Sequence, residues 1–100
     1  MAIARRITVG TSATVLNPAD DGLDGERITV INPDKIGGVT NTTDLFVGGA
    51  DVDTVDGAGG KNIRLGPGDS FTDQPGTRGE QWFGRVASGT LVVSVATGGA

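Results

Sequence analysis

The chain has 100 residues, a formal net charge of −4 and a pI near 4.4, with no histidine and no cysteine. Its length fits one domain, and the missing residue types exclude disulfides, thiolate metal sites and Ser–His or Cys–His nucleophile activation. Arg5 and Arg6 are the only adjacent bases, too few for the clustered phosphate contacts of a nucleic-acid binder, and no apolar run approaches the ~20 residues that span a bilayer.

From the N-terminus, Met1 to Arg6 carries its charges after the apolar residues and has no apolar stretch of signal-peptide type. Residues 1–6 are read as an N-terminal arm, with Ile3, Arg5 and Arg6 as contact residues because Arg makes bidentate contacts with carboxylates. The alternative is that Ile3 to Arg6 lengthens the first strand. Ile7 and Val9 then alternate with Arg6, Thr8 and Gly10, the pattern of a half-buried strand, and Thr14-Val15-Leu16 continues beyond a turn or bulge. Residues 17–25 have loop composition. Glu26 to Ile31 is the clearest strand, with Ile28 and Val30 on one face and Arg27, Thr29 and Ile31 on the other.

Asn32-Pro33-Asp34 stops that strand, and residues 33–43 read as a second loop containing Gly37-Gly38 and Asn41. Leu45-Phe46-Val47 is a short strand ended by Gly48-Gly49, followed by an acidic connection over residues 50–60. Ile63 to Leu65 and Ser70 to Thr72 flank Pro67-Gly68, a pair suited to the two central positions of a type II turn. After the loop at 73–79, Gln81 to Ala87 and Thr90 to Ala96 are expected to form a hairpin joined at Ser88-Gly89. In the last strand Leu91, Val93 and Val95 face one way while Val92, Ser94 and Ala96 face the other. The expected domain runs from 7 to 97, with 98–100 as a tail. About eight short strands at roughly ten-residue spacing and no helical segment predict an all-β fold, an antiparallel β-sandwich or small barrel.

Catalytic chemistry has little to work with. A Ser–Lys arrangement would need Lys35 or Lys61, neither in a recognisable motif, and the carboxylates sit mostly in Gly-rich turns where solvation opposes the raised pKa of a general acid. The chain is therefore expected not to be an enzyme and to hold no cofactor. Asp51-Val52-Asp53-Thr54-Val55-Asp56-Gly57 departs from the calcium-loop spacing at its fifth, sixth and twelfth positions, where Val55, Asp56 and Asn62 stand. Asp20, Asp21, Asp24 and Glu26 read as solvated turn acids, so no metal site is expected.

Trp82 and Phe83 are neighbours in a strand and must point to opposite faces, so one closes the core while the other is free to meet a subunit neighbour. Eighteen glycines and four aromatics (Phe46, Phe71, Trp82, Phe83) make a thin core that gains from a partner surface.

Taken together, Val9-Gly10-Thr11, Arg27 to Asn32, Asp44 to Val52, Leu65-Gly66-Pro67-Gly68-Asp69-Ser70 and the apolar stretch from Trp82 to Val95 resemble small virion proteins of tailed bacteriophages. The resemblance covers most of the chain and implies a capsid decoration (cement) protein that stabilises the shell. Its partner would be the major capsid protein and its location the capsid surface of a virion made in the host cytoplasm. The chain departs from that pattern in its long 50–60 insertion and in having Phe and Trp where related chains often have Tyr. Matched symmetry at quasi-threefold positions makes a homotrimer the expected assembly. Ile3, Arg5, Arg6, Trp82 and Phe83 are the candidate capsid or subunit contacts. A receptor- or glycan-binding module and a head–tail or tail component are the alternatives, since one fold hosts all three roles.

Overall fold

The computed structural model describes residues 2–16, 27–55, 60–73 and 81–98. The acidic group Asp20, Asp21, Asp24 and Glu26, and the segments 56–59 and 74–80, lie outside the described residues. Among the described residues there are ten strands: β1 (Ala2–Val9), β2 (Thr14–Val15), β3 (Arg27–Ile31), β4 (Lys35–Ile36), β5 (Val39–Thr40), β6 (Leu45–Gly48), β7 (Ile63–Leu65), β8 (Ser70–Asp73), β9 (Phe83–Arg85) and β10 (Leu91–Gly98). The first sheet has the order β1-β10-β3-β8 and the second β2-β9-β6-β7, every pairing antiparallel; β4 and β5 form a separate small hairpin. The fold is all-β, as the spacing of the apolar runs predicts, and has the form of a small β-sandwich.

The alternation that marks each long strand decides which face is buried. In β3, Ile28 and Val30 are buried while Arg27 and Ile31 are exposed. In β10, Leu91, Val93, Val95 and Thr97 are buried and the intervening residues face outward. Ile28, Val30, Leu91, Val93 and Val95 meet Val9, Leu16, Leu45, Val47, Leu65 and Val86 in one aliphatic core, against which Ile7, Phe71 and Trp82 pack. Each fully buried Val, Leu or Ile contributes about 1.5–3 kcal/mol relative to exposure, so this seam is the main source of stability.

Three expectations are corrected. Residues 35–43 are not simply loop: Gly37 and Gly38 have φ of 58° and 82°, and this primed turn closes β4 onto β5. The two glycines that read as a loop signal are hairpin chemistry.

The last two strands are not a hairpin. β9 pairs with β2 and β6 in the second sheet, whereas β10 pairs with β1 and β3 in the first. Their connection crosses the sandwich, with Val86 buried, its N–H donating to Gly10 O (3.0 Å) and Gly89 at φ 70°. A hairpin would have put both apolar strands in one sheet; the crossing lets each cover the core from its own side.

Third, residues 2–6 do not project as an arm. They continue β1, which pairs residue for residue with β10 from Ala2↔Gly98 to Val9↔Leu91. β10 is eight residues long and offers a full-length partner, so the expected tail residue Gly98 is strand as well. The Pro67-Gly68 turn forms as its chemistry requires, with Gly68 at φ 88° and Asp69 N donating to Gly66 O at 2.9 Å.

Gly84 of β9 lies where the sheets meet. A Cβ there would stand 3.2 Å from Leu16 Cδ2, 3.3 Å from Leu45 Cδ1 and 3.4 Å from Val9 Cγ2. Gly84→Val overfills this space and is expected to lower unfolding stability by about 2 kcal/mol, read by urea denaturation. An unchanged midpoint would mean that the seam has slack.

Candidate functional site

The polar centre of the molecule is Asn32, fully buried at the end of β3. Its side-chain amide donates to Thr43 O (2.9 Å) and Leu65 O (2.8 Å), and its Oδ1 accepts from Asn41 Nδ2 (2.7 Å). Its backbone N–H donates to Asp69 O (3.0 Å) and its carbonyl accepts from Gly68 N (2.7 Å). Asn41, itself buried, also donates to Pro33 O and accepts from Thr43 N. Both amide hydrogens and all the main acceptors of Asn32 are therefore used, and the segments around 41–43, 65 and 68–69 are fixed to the end of β3. This is scaffold chemistry: nothing in it is titratable or nucleophilic.

The five candidate contact residues do not converge on one surface. Arg6 is exposed on the outer face of the first sheet, whereas Arg5 is half-buried on the opposite side of the strand. Ile3 stands opposite Thr97 in the same ladder. Trp82 packs edge-on against Phe71, ring centroids 4.7 Å apart, and its Nε1–H donates to Asp73 Oδ2 at 3.1 Å. It closes the core. Phe83 is the outward member of the pair, half-buried on the far side of the second sheet beside Val15 and Gly48 in the ladder.

The outer face of the first sheet is the surface that sequence reasoning did not assemble. Register places Ala4, Ala96, Thr29 and Thr72 in one row and Arg6, Ser94, Ile31 and Ser70 in the next, with Thr8 beside Val92 beyond them. The small side chains of Ala4, Ser94 and Ala96 help to line a groove of about 410 Å³ that Arg6 and Ile31 also border. A second, smaller hollow of about 90 Å³ joins Arg6, Val92 and Ser94 to Pro33, Lys35 and Ile36 of the β4 region. No outward-facing described residue of these four strands is acidic; Asp73 of β8 turns inward to Trp82. Two described acids stand at the rim: Asp34, beside Gly68, and Asp69, which directly precedes β8. Three of the chain's eight bases, Arg6, Arg27 and Lys35, thus lie on or beside this face of an acidic protein. The Val92/Ser94/Ala96 alternation was legible in the sequence, but the neighbouring strands were not.

The opposite sheet is partly covered. Phe46 points away from the core yet is only 5% exposed, and Val52 is buried close to Gly48 on that side. Arg85 ties the covering segments down, donating to Thr11 O (2.8 Å) and Val52 O (3.3 Å). Nearby, Arg64 contacts Asp44 through Nε (2.9 Å) and Nη2 (2.5 Å) at the border of a polar groove of about 450 Å³ that Thr42, Thr43 and Thr54 also line.

In the 53–62 segment, Asp53 Oδ1 accepts from the N–H of Lys61 (3.0 Å), from Asn62 Nδ2 (2.7 Å) and from the N–H of Val55 (3.4 Å). Among the described residues no group of three or more His, Cys, Asp or Glu is arranged to hold a metal ion.

No protein-family model, curated protein or solved structure matches this chain.

Two outcomes test the local chemistry. Asn32→Ala strips the buried carbonyls of Thr43 and Leu65 of a donor and is expected to destabilise the fold by about 3 kcal/mol in urea. A loss below about 1 kcal/mol would show that these carbonyls find other partners.

For Asp53, local desolvation pushes the carboxyl up, but the bonds from Lys61 N–H, the Asn62 amide and Val55 N–H, with the Lys61 charge, hold it on balance below its ordinary value of 3.8. A depressed folded pKa gives stabilisation that is complete above the unfolded value and disappears as pH falls through the folded one. Amide exchange at Lys61, corrected for intrinsic pH dependence, should therefore be protected at neutral pH and lose protection only below 3.8. Asp53→Asn should flatten that profile.

Proposed function

We propose that this chain is a structural protein of a tailed-bacteriophage virion, a non-enzymatic decoration protein that binds the capsid exterior and stabilises the shell by bridging major capsid subunits. The observation that carries the reading is the way its motif segments interlock. Arg27 to Asn32 and Leu65 to Ser70 are far apart in the chain and together support the resemblance to small phage virion proteins. They meet at the Ile31↔Ser70 pair, where the second segment enters β8, and are joined through Asn32 to Leu65, Gly68 and Asp69. The residues that carry the resemblance are thus also ones that hold the polar centre of the fold together.

The physics of the role is mass action. A protein that binds assembled shell and not free subunits adds its binding free energy to the particle. A small all-β unit whose loops at the end of β3 are fixed by buried hydrogen bonds suits such a part, because a surface already held in place loses little conformational entropy on attachment. In this reading the chain acts as a homotrimer at quasi-threefold positions, where three equivalent surfaces meet three equivalent sites.

A glycan-binding module is the less well supported alternative. The polar groove beside Asp44 and Arg64 offers suitable hydrogen-bonding groups. Its aromatic, Phe46, is almost fully covered, however, and Trp82 is packed into the core.

The test is quantitative mass spectrometry of purified virions, with heat challenge of particles made without the gene. Hundreds of copies per particle and earlier shell rupture in the deletion are the expected results. A handful of copies would overturn decoration in favour of a head–tail part, and absence from particles would overturn the virion reading.

A further inference from the structure

We infer that the outer face of the first sheet is the chain's docking surface, and that its partner is a protein surface presenting carboxylates around a small apolar patch. The inference rests on the virion reading, in which that partner is the assembled shell.

Three features carry it. First, the face is built from small side chains. Ala4, Ala96 and Ser94 leave a groove about 410 Å³ in volume between Arg6 on β1 and Ile31 on β3. A flat sheet face of Ala, Ser and Thr admits close approach of another surface and loses little rotamer freedom when covered.

Second, its apolar content is concentrated. Ile31, Ile36 and Val39 are three of the five large exposed hydrophobics among the described residues, at 40%, 37% and 70% exposure. Ile31 borders the groove itself, and Ile36 borders the adjoining hollow that reaches Arg6. The β4–β5 hairpin that carries Ile36 and Val39 thus extends the same patch.

Third, charge selects the occupant. Arg6 and Arg27 lie on a face with no described outward carboxylate, in a chain of twelve acids against eight bases, and at its rim Lys35 is accompanied by Asp34 and Asp69. Two copies joined symmetrically through this face would bring like charges together, an arrangement that opposes self-pairing. An acidic partner satisfies the guanidinium groups, and bidentate contacts with carboxylates suit Arg6 and Arg27 in particular.

The size of the face fits the same picture. Four strands ~4.8 Å apart and up to eight residues long at ~3.3 Å each give a face on the order of 400 Å². That is about half of the ~800 Å² per partner in a standard stable interface. One such contact binds weakly, and several presented together on a lattice bind with gained avidity.

The experiment titrates purified chain onto particles assembled without it and measures occupancy by co-sedimentation at low and high salt. Wild type is compared with Arg6→Glu/Arg27→Glu, which reverses the charge, and Ala96→Arg, which fills the groove floor. Lys61→Glu is the control: it reverses one charge, half the change made in the double variant, at an exposed position away from this face. Circular dichroism and a thermal melt verify that each variant is folded, and because Ala96 is exposed its replacement leaves the core intact.

Both face variants should lose at least about tenfold in apparent affinity, Lys61→Glu should bind as wild type does, and wild-type binding should weaken with salt. If wild type binds and the folded face variants bind equally well, the docking inference is overturned while the virion reading stands. Failure of wild type to bind any particle overturns the virion reading and this inference with it. Self-association of the free chain that Ala96→Arg abolishes would assign the face to a second copy and likewise overturn it.

Discussion

Asn32 is the group on which the arrangement of this molecule depends. Its side chain has no access to water, and a buried amide without partners would be strongly unfavourable, so its position is tolerable only when Thr43, Leu65 and Asn41 are all in place. The converse also holds. The carbonyls of Thr43 and Leu65 can leave water because Asn32 meets them. Asn41 extends the network to Pro33 and, through its backbone, to Asp34, so the base of the β4–β5 hairpin is set by the same group. A buried polar network of this kind selects one arrangement of the surrounding loops, where an apolar contact of similar size would accept several.

Around that point the chain builds a sandwich almost entirely from distant pairings. Among the described residues, only β4 with β5 and β6 with β7 are sequence neighbours that share a ladder; β1 pairs with β10 and β3 with both β10 and β8. Successive strands after β7 alternate between the sheets: β8 in the first, β9 in the second, β10 in the first. At each crossing, loop closure must be met before the contact it allows is gained. The core that rewards those closures is mostly Val, Leu and Ile, with Trp82 and Phe71 closing it from the side.

The same topology produces an asymmetry between the two outer faces. Over the second sheet, Val52 packs near Gly48, Phe46 is almost fully covered, and Arg85 binds the carbonyls of Thr11 and Val52. The first sheet keeps an outer face of Ala, Ser, Thr and Ile with basic groups at its borders. A virion structural protein needs one surface that keeps its own fold and another that meets its partner, and these two faces fit that division of labour as we propose it.

Much of the local structure was legible in the residues. Alternation in β3 and β10 identified the buried faces, and Pro67-Gly68 specified its turn, because side-chain period and backbone φ preference act over a few residues. The all-β class followed from the same local signals. Gly37-Gly38 carried its hairpin information too, but the flanking strands are only two residues each, too short for a period to show. Sequence could not decide which strands lie side by side. The run from Trp82 to Ala96 reads equally well as a hairpin or as a crossing between sheets, since alternation fixes a face and not a neighbour. Tertiary structure decided for the crossing, joined residues 2–6 to β10 as strand, and sent Trp82 inward and Phe83 outward. The role of Asn32 was hidden for the same reason. An Asn before Pro reads as a strand stop, and its burial depends on carbonyls 11 and 33 residues further along the chain that only the folded molecule brings within reach.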